Sequence, residues 1–265
     1  MAARHVEIAE DLLAGIENGR YPPGGHLPTE DALMVHYATS RNTVRRALER
    51  LANLGRIDTR QGSGSQVREY KPITHLASSI KGAADDERWS EYAARLREKQ
   101  EGVPHQTLKV GFEAATGMIA RLLDLNPSET EGFVVIRRCD RVVDGKLWER
   151  QISYYPEDIA VGTELMRPED IKRGTITVLA ELGYEQTGSW DVVGARMPSP
   201  KDSALFGLGP GVPLLVHERA AFAGIRPIRF TKTFIPADRH QLLYAEGEIS
   251  PDLLKSASDV NIFDH

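Results

Sequence analysis

The sequence predicts two domains of different class: a small helical amino-terminal domain that ends in a β-hairpin, and a larger α+β domain built on an antiparallel sheet. Three observations lead to this prediction. The 265 residues are more than one small domain needs. Apolar side chains recur at helical spacing in the first 70 residues, whereas later segments alternate between strands and short helices. Glycine-containing turns join neighbouring strands, which favours hairpins over parallel crossovers.

Composition limits the class of protein further. A content of 41% hydrophobic and 27% charged residues is typical of soluble globular chains, and no run of eighteen apolar residues is present. The first residues are acidic and amphipathic, unlike a secretory signal peptide. The single cysteine, Cys139, excludes an internal disulfide and the usual zinc ligand sets. We therefore expect a cytoplasmic protein with no membrane partner, metal or cofactor.

Local charge contrasts with the net charge of −5, which taken alone argues against a nucleic-acid binder. Residues 1–40 carry two arginines against six acidic residues, a balance of −4. Residues 41–68 carry seven arginines against two acidic residues, a balance of +5, and no lysine. Arginine favours forked hydrogen bonds to phosphates and guanines. The basic half therefore predicts a compact electrostatic footprint for nucleic acid.

Three helices are predicted in the first 55 residues. Ile8, Leu12 and Ile16 share the face of a first helix that ends at Asn18-Gly19. A second helix opens after Leu27-Pro28, with Thr29 as its cap. A third helix begins at the Ser40 cap and runs to about Leu54, where Gly55 stops it.

A β-hairpin follows the third helix, with strands over 56–60 and 65–68 and a glycine turn at 61–64. Two helices across a tight break followed by a hairpin form a winged helix-turn-helix, in which the third helix enters the major groove of double-stranded DNA. Arginine and asparagine suit guanine and adenine edges, and hydroxyls suit phosphates. The expected DNA contacts are Thr29, Ser40, Arg41, Asn42, Thr43, Arg45, Arg46, Arg60, Gln61, Gly62, Ser63 and Gly64.

Each of these features has an ordinary structural explanation. An arginine-rich outer helix face is usually solvated surface, and a glycine hairpin is usually only a turn. Their succession in this order, within about sixty residues, favours the DNA-binding interpretation.

The stretch containing LPTE, SRNTVRRALERL and RQGSG resembles the DNA-binding domain of the GntR family of bacterial repressors over residues 6–68. The resemblance implies DNA contacts at Arg41, Thr43, Arg45 and the wing residues Gln61-Gly62. The chain departs from the family at Asp31, where many members carry an arginine, so its base preference or affinity is expected to differ.

The remaining chain is divided by composition and periodicity. We expect a DNA-binding domain at 1–70, a linker with a charged joint helix at 71–105, an effector-binding and dimerisation domain at 106–246, and a mobile tail at 247–265. Trp89, Ala93 and Leu96 share one face of the joint helix.

The strands and helices of the larger domain are predicted from glycine-containing turns and from the spacing of apolar residues. Hairpins are predicted across Asp144-Gly145 and Ala223-Gly224. Helices are predicted over 114–123, 175–182 and 201–206, and a further strand over 192–197.

The landmarks FVVIRRCDRVVDGKLWERQISYYP and GPGVPLLVHERAAFAGIRPIRFTKTFIP are similar to the effector-binding (UTRA) domain of the HutC branch of the same family, whose fold is related to chorismate lyase. The resemblance covers about residues 105–245. It implies an effector pocket in which this chain has exchanged most polar positions, including a late glutamate that becomes Arg229. A sugar phosphate is therefore not expected, and an acidic ligand suits the pocket better. The pocket positions are Cys139, Arg141, Gln151, Ser153, Thr175, Thr177 and Arg229.

Several functions remain open from sequence alone. We expect a homodimeric repressor on a near-palindromic operator, controlled by a small molecule. The alternatives are a ligand-independent repressor (for example of plasmid-transfer genes) with a degenerate pocket, a non-specific DNA binder, and a lyase-like enzyme. No nucleophile elbow, phosphate loop or paired catalytic carboxylates support catalysis. The acidic chain argues against non-specific binding.

Overall fold

A computed structural model describes residues 3–60, 64–70, 72–76, 93, 102–115, 117–125, 132–245, 248–258 and 260–261. The chain forms two compact units. The first contains Met1–Pro72, Met197–Pro213 and Asn261–His265, and the second contains Ile73–Arg196 and Leu214–Val260. The residues 197–213 thus cluster with the amino-terminal segment, which the linear order of the sequence does not reveal.

The first unit is built on three helices: α1 (Arg4–Glu17), α2 (Glu30–His36) and α3 (Arg41–Asn53). α1 and α3 end within a residue or two of their predicted ends. Ile8, Leu12, Leu33, Val44 and Leu51 are at most 2% exposed and form one cluster, because each lies on the inner face of its helix. This cluster fixes α1 and α2 against α3.

An antiparallel hairpin completes the winged arrangement. Strand β1 (Ile57–Arg60) pairs with β2 (Gly64–Val67), with Ile57 opposite Val67 and Arg60 opposite Gly64. Ile57 and Val67 are buried in the helical core, so the hairpin is attached to the helices at its base.

The described part of the second unit contains a six-stranded antiparallel sheet in the order β4-β5-β6-β9-β8-β7. Its strands are β4 (Pro104–Ala114), β5 (Phe133–Val143), β6 (Lys146–Pro156), β7 (Gly188–Arg196), β8 (Leu214–Ala223) and β9 (Arg226–Pro236). A separate parallel pair joins β3 (Ile73–Leu76) to β10 (His240–Leu243).

Helices cover parts of both sheet faces. Alternate strand residues point to opposite faces, so Val134 and Phe230 form one cluster and Val135 and Tyr155 form another. Helix α4 (Gly117–Leu122) contributes to the first cluster. The second is covered by α5 (Glu157–Ala160), a 3₁₀ turn (Glu164–Met166) and α6 (Thr175–Glu181). Two further helices are α7 (Pro200–Phe206), which belongs to the first unit, and α8 (Pro251–Ser258).

The α+β class, the winged helix-turn-helix and the antiparallel sheet are confirmed. Three details differ from expectation. Ala114 ends β4 rather than opening a helix. The strand expected over 192–197 begins earlier, at Gly188, and this start was not predicted because the mostly exposed residues of β7 show no alternation. The segment expected to be a mobile tail contains α8, where Ser250 accepts a hydrogen bond from the amide of Leu253. The expected joint helix falls outside the described residues except for Ala93, which is helical and 3% exposed.

Candidate DNA interface and effector cavity

The recognition helix α3 separates a buried face from a charged one. Val44, Ala47 and Leu51 are fully buried. The predicted contacts Arg41, Asn42, Arg45 and Arg46 are all exposed on the opposite side. The helix thus presents its basic side chains to solvent near its amino terminus, as a groove-reading helix requires.

Hydroxyl side chains fix the starts of α2 and α3. Ser40 Oγ accepts a hydrogen bond from the Thr43 amide at 3.3 Å, and the two hydroxyls lie 2.9 Å apart. Thr29 Oγ1 accepts from the Ala32 amide at 3.3 Å. Such caps satisfy backbone N–H groups that have no partner inside the helix. Thr29, Ser40 and Thr43, three of the predicted DNA contacts, therefore also serve as helix caps or cap partners.

Carboxylates of α2 hold the recognition arginines. Arg45 Nε donates to both Glu30 oxygens at 3.1 and 3.0 Å. Arg41 donates to Asp31 through Nη2, and its Nε lies 3.8 Å from Glu30 Oε2. The arginine and Asp31 side chains are more than half exposed, so these pairs contribute little stability and can exchange for phosphate contacts. Asp31 is thus the acidic partner of Arg41, one of the predicted DNA contacts.

The wing is only partly within the described residues. Arg60 ends β1 and Gly64 begins β2. Gly64 has a φ of +75°, which glycine adopts without strain. The predicted contacts Gln61, Gly62 and Ser63 lie outside the described residues.

A cavity in the second unit collects most of the predicted effector residues. Its volume is about 30 Å³, room for a water molecule or one small polar group. Cys139, Gln151, Ser153, Thr175 and Arg229 were expected there from the sequence and all line it. The other lining residues are Leu108, Arg137, Tyr155, Asp170, Ile171 and Ile176.

Arg229 is a buried cation in this cavity. It is 4% exposed, Nη1 donates to Thr175 Oγ1 at 3.2 Å, and Nη2 is 3.5 Å from Gln186 Oε1. Its Nε has no hydrogen-bond partner among the described residues, and no ion pair joins it to a carboxylate there. A buried guanidinium satisfied only by neutral oxygens favours an incoming anion.

Arg137 also lines the cavity, and sequence reasoning missed it. It is 5% exposed, and Nη1 donates to the Leu165 and Arg167 carbonyls at 2.8 and 2.6 Å. Nη2 donates to the Glu169 carbonyl at 3.1 Å. The signal was present, because residues 137, 139 and 141 alternate onto one strand face.

Two predicted effector residues are not brought to the cavity. Arg141 is 1% exposed and forms an ion pair with Glu149, which lies directly opposite it on β6. Thr177 is exposed on α6 and is absent from the cavity lining. Helix periodicity explains the second case, since Thr175 and Thr177 are 200° apart around the helix axis at about 100° per residue.

Polar contacts also organise the cavity wall. Ser153 Oγ lies 3.0 Å from Thr231 Oγ1, and both residues are buried. Cys139 Sγ is 3.7 Å from Gln106 Oε1 and is buried. The thiol therefore lies in the wall as a weak hydrogen-bond donor.

A second charged cluster lies on β7 and β8, outside the cavity lining. Asp191 accepts hydrogen bonds from Arg219 Nε and Nη2 at 2.6 and 3.0 Å, and His217 Nε2 lies 2.5 Å from its Oδ1. Burial alone would raise the pKa of Asp191, but the hydrogen bonds from His217 and Arg219 outweigh it and lower the pKa to about 2. This carboxylate is therefore ionised at neutral pH.

Two further kinds of site are absent from the described residues. No group of three or more histidine, cysteine, aspartate or glutamate side chains is placed to hold a metal ion. No helix in these ranges is long and apolar enough to cross a membrane.

Family models match both parts of the chain. Residues 4–67 match the bacterial regulatory proteins of the gntR family, and residues 101–241 match the UTRA domain. The chain belongs to the GntR family. The second match covers more than half of the chain and places it in the HutC branch of that family, so both resemblances found in the sequence are confirmed.

Relatives and solved structures agree with this assignment. The chain is 25% identical to a histidine utilization repressor of Pseudomonas putida over 251 residues, 94% of this chain and 93% of that one. It is 31% identical to the regulator TreR of Bacillus subtilis over 143 residues, 54% and 55% of the two chains. PhnF from Mycobacterium smegmatis has the same fold, with a TM-score of 0.51 at 18% identity, covering 93% of this chain and all of that one.

This GntR-family chain is therefore a transcriptional regulator with a DNA-binding winged helix and an effector-binding UTRA domain. The matched family consists of bacterial regulatory proteins, which is the class of protein expected from the sequence.

Proposed function

We propose that this GntR-family regulator is a homodimeric repressor that binds a near-palindromic operator and responds to a small acidic effector. The observation that carries the proposal is Arg229, a buried cation in the UTRA cavity with no carboxylate partner among the described residues. A buried guanidinium that contacts only neutral oxygens among the described residues is costly to bury unless an anion binds it in one functional state.

Sequence-specific DNA reading is supported by the exposed face of α3. Arg45 forms a solvent-exposed ion pair with Glu30, so it can turn to a guanine edge at little cost. The operator can be obtained by selection from a pool of random duplexes with the full-length protein. Arg45→Ala is then expected to cost about 1 to 3 kcal/mol in discrimination between that operator and random DNA.

The matched control for this experiment is Arg56→Ala. Arg56 belongs to the same unit but pairs with Glu17, away from the recognition face. Fluorescence anisotropy at several salt concentrations distinguishes a lost phosphate contact from a lost base contact. A lost phosphate contact flattens the salt dependence of the binding affinity, and a lost base contact does not. Equal discrimination by wild type and Arg45→Ala would show that α3 does not read bases.

The acidic nature of the effector is supported by the charges of the cavity. Arg137 and Arg229 are buried there, and Asp170 is the one acidic residue in the described lining and is exposed. The cavity that these residues line has room for one small polar group. Carboxylate binding to a guanidinium is bidentate and strong, and it discriminates against neutral analogues.

Thermal shift measurements test this proposal. We expect members of a panel of small carboxylates to raise the unfolding temperature, and their amides not to do so. Arg229→Met should abolish the shift. Arg226→Met is the control, since Arg226 lies on the same strand but pairs with Asp158 outside the cavity. A panel that shifts neither wild type nor variant would favour the ligand-independent repressor.

Dimerisation is supported by β7, which lies at the edge of the sheet that the described residues form. This strand ends the sheet order, contains neither proline nor lysine, and exposes Val192 by 56% and Val193 by 43%. Such an edge is a template for pairing with a second copy. Replacing both valines by lysine is expected to yield monomers in sedimentation experiments, whereas Ile225→Lys at an exposed hairpin tip should leave dimers.

A further inference from the structure

The residues 197–213 form an ordered part of the DNA-binding unit, although they lie between β7 and β8 in the chain. Helix α7 starts in a capping box in which Ser199 and Asp202 bond reciprocally. Phe206 and Val212 are each 1% exposed. The segment is therefore a structured element and not an open loop.

Two glycines bring this segment against the end of the recognition helix. Gly55 follows α3 and has a φ of +73°, as does Gly211. A Cβ on Gly211 would lie 2.5 Å from the Gly55 nitrogen and 2.6 Å from the Asn53 carbonyl oxygen. Backbone thus contacts backbone at the carboxy-terminal end of α3, and no side chain fits between the two.

Arg68 ties the same loop to the base of the wing. Its side chain is 5% exposed, and Nη2 donates to Asp58 Oδ1 at 2.6 Å and to the Pro210 carbonyl at 3.2 Å. A Cβ on Gly209 would lie 2.9 Å from this Nη2. One buried guanidinium therefore links β1, the end of β2 and the loop at 209–211.

The loop is also continuous with the strand beside the cavity. Leu214 begins β8 directly after the segment, and Ala221 of β8 is the register partner of Arg229 on β9.

We propose that the loop at 209–211 is the positioning contact of the recognition helix, and that Arg68 fixes it there. The inference rests on the proposed dimeric operator binding. By holding the end of α3, the loop sets the orientation of each recognition helix and hence the half-site spacing that a dimer accepts.

The test uses the full-length protein and duplexes that carry two selected half-sites with spacers altered by about one or two base pairs. Gly211→Ala is compared with Gly207→Ala. Both positions have positive φ, but an added Cβ meets nothing within 4 Å at Gly207. The two variants therefore introduce the same kind of backbone strain, but only Gly211→Ala disturbs the contact with the end of α3.

We expect wild type and Gly207→Ala to prefer one spacing by about tenfold or more, and Gly211→Ala to lose that preference. Affinity for a duplex with a single half-site should remain within about twofold for all three proteins. General destabilisation would lower binding to every duplex alike, so a selective loss of spacing preference identifies a positioning role.

Gly209→Ala provides a second variant if Gly211→Ala does not fold. It carries no positive-φ strain, and its Cβ would meet the side chains of Arg68 and Asp58 at 2.9 and 3.1 Å rather than backbone, so we expect a smaller loss in the same direction. Spacing preference retained by both variants would overturn the inference. A wild-type protein without any spacing preference would instead overturn the dimeric operator binding, and the inference with it.

Discussion

The ion pair between Arg141 and Glu149 allows a quantitative test of how the UTRA domain is built. The two side chains are 1% and 10% exposed and lie opposite each other on β5 and β6. Glu149→Gln preserves shape but leaves the arginine charge without its carboxylate. Removing one partner of a buried pair costs about 3 to 5 kcal/mol. Because glutamine can still accept a hydrogen bond, we expect the lower end, about 3 kcal/mol.

Urea unfolding followed by tryptophan fluorescence reports the loss of stability of the second structural unit, which contains the ion pair. The first unit contains no tryptophan, whereas Trp148 and Trp190 lie in the second. The control is Arg141→Met combined with Glu149→Leu, expected to lie within about 1 kcal/mol of wild type because no charge is left buried. A single variant as stable as wild type, or a double variant as unstable as the single one, would refute the reasoning.

Three further outcomes are expected. Asp31→Ala should release Arg41 and tighten operator binding by roughly twofold to fivefold at low salt, an advantage that anisotropy titrations should find reduced at high salt. The pKa of Asp191 is lowered from 3.8 to about 2, so its stabilising contribution is present above about pH 4 and is lost as the pH falls toward 2. Between pH 5 and pH 3 wild type should lose about 1 kcal/mol from this group, and Asp191→Asn should show a flatter profile in the same urea assay. Leu51→Ala should cost about 2 to 5 kcal/mol in the first unit, measured by far-ultraviolet circular dichroism, and a loss below 1 kcal/mol would contradict its place in the core.

Most of the first unit could be predicted from the sequence because its signals are local. Helix starts follow from Thr29 and Ser40, which cap with their own side chains, and the end of α3 follows from Gly55. The exposed arginines of α3 follow from helical spacing alone. The order of these elements along the chain is recognisable as a winged helix-turn-helix.

The cavity was predictable only in part. Alternation along β5 assigns Arg137, Cys139 and Arg141 to one face, but it does not say which arginine is neutralised across the sheet. Glu149 pairs with Arg141, and carbonyls of a following loop hold Arg137, so the cavity cation from β5 differs from the expected one. The partner that each arginine finds, and not the alternation of the strand, decides which of the two lines the cavity.

The sequence by itself determined the two folds, the reading face of α3 and five of the residues around the cavity. Periodicity, caps and glycine turns act between neighbours in the chain, so they are visible without a structure. Tertiary structure alone decided that Asp31 pairs with Arg41, and that Arg229 has no carboxylate partner among the described residues. It alone joined Met197–Pro213 to the DNA-binding unit, because contacts between Gly55 and Gly211 form only after the chain has folded.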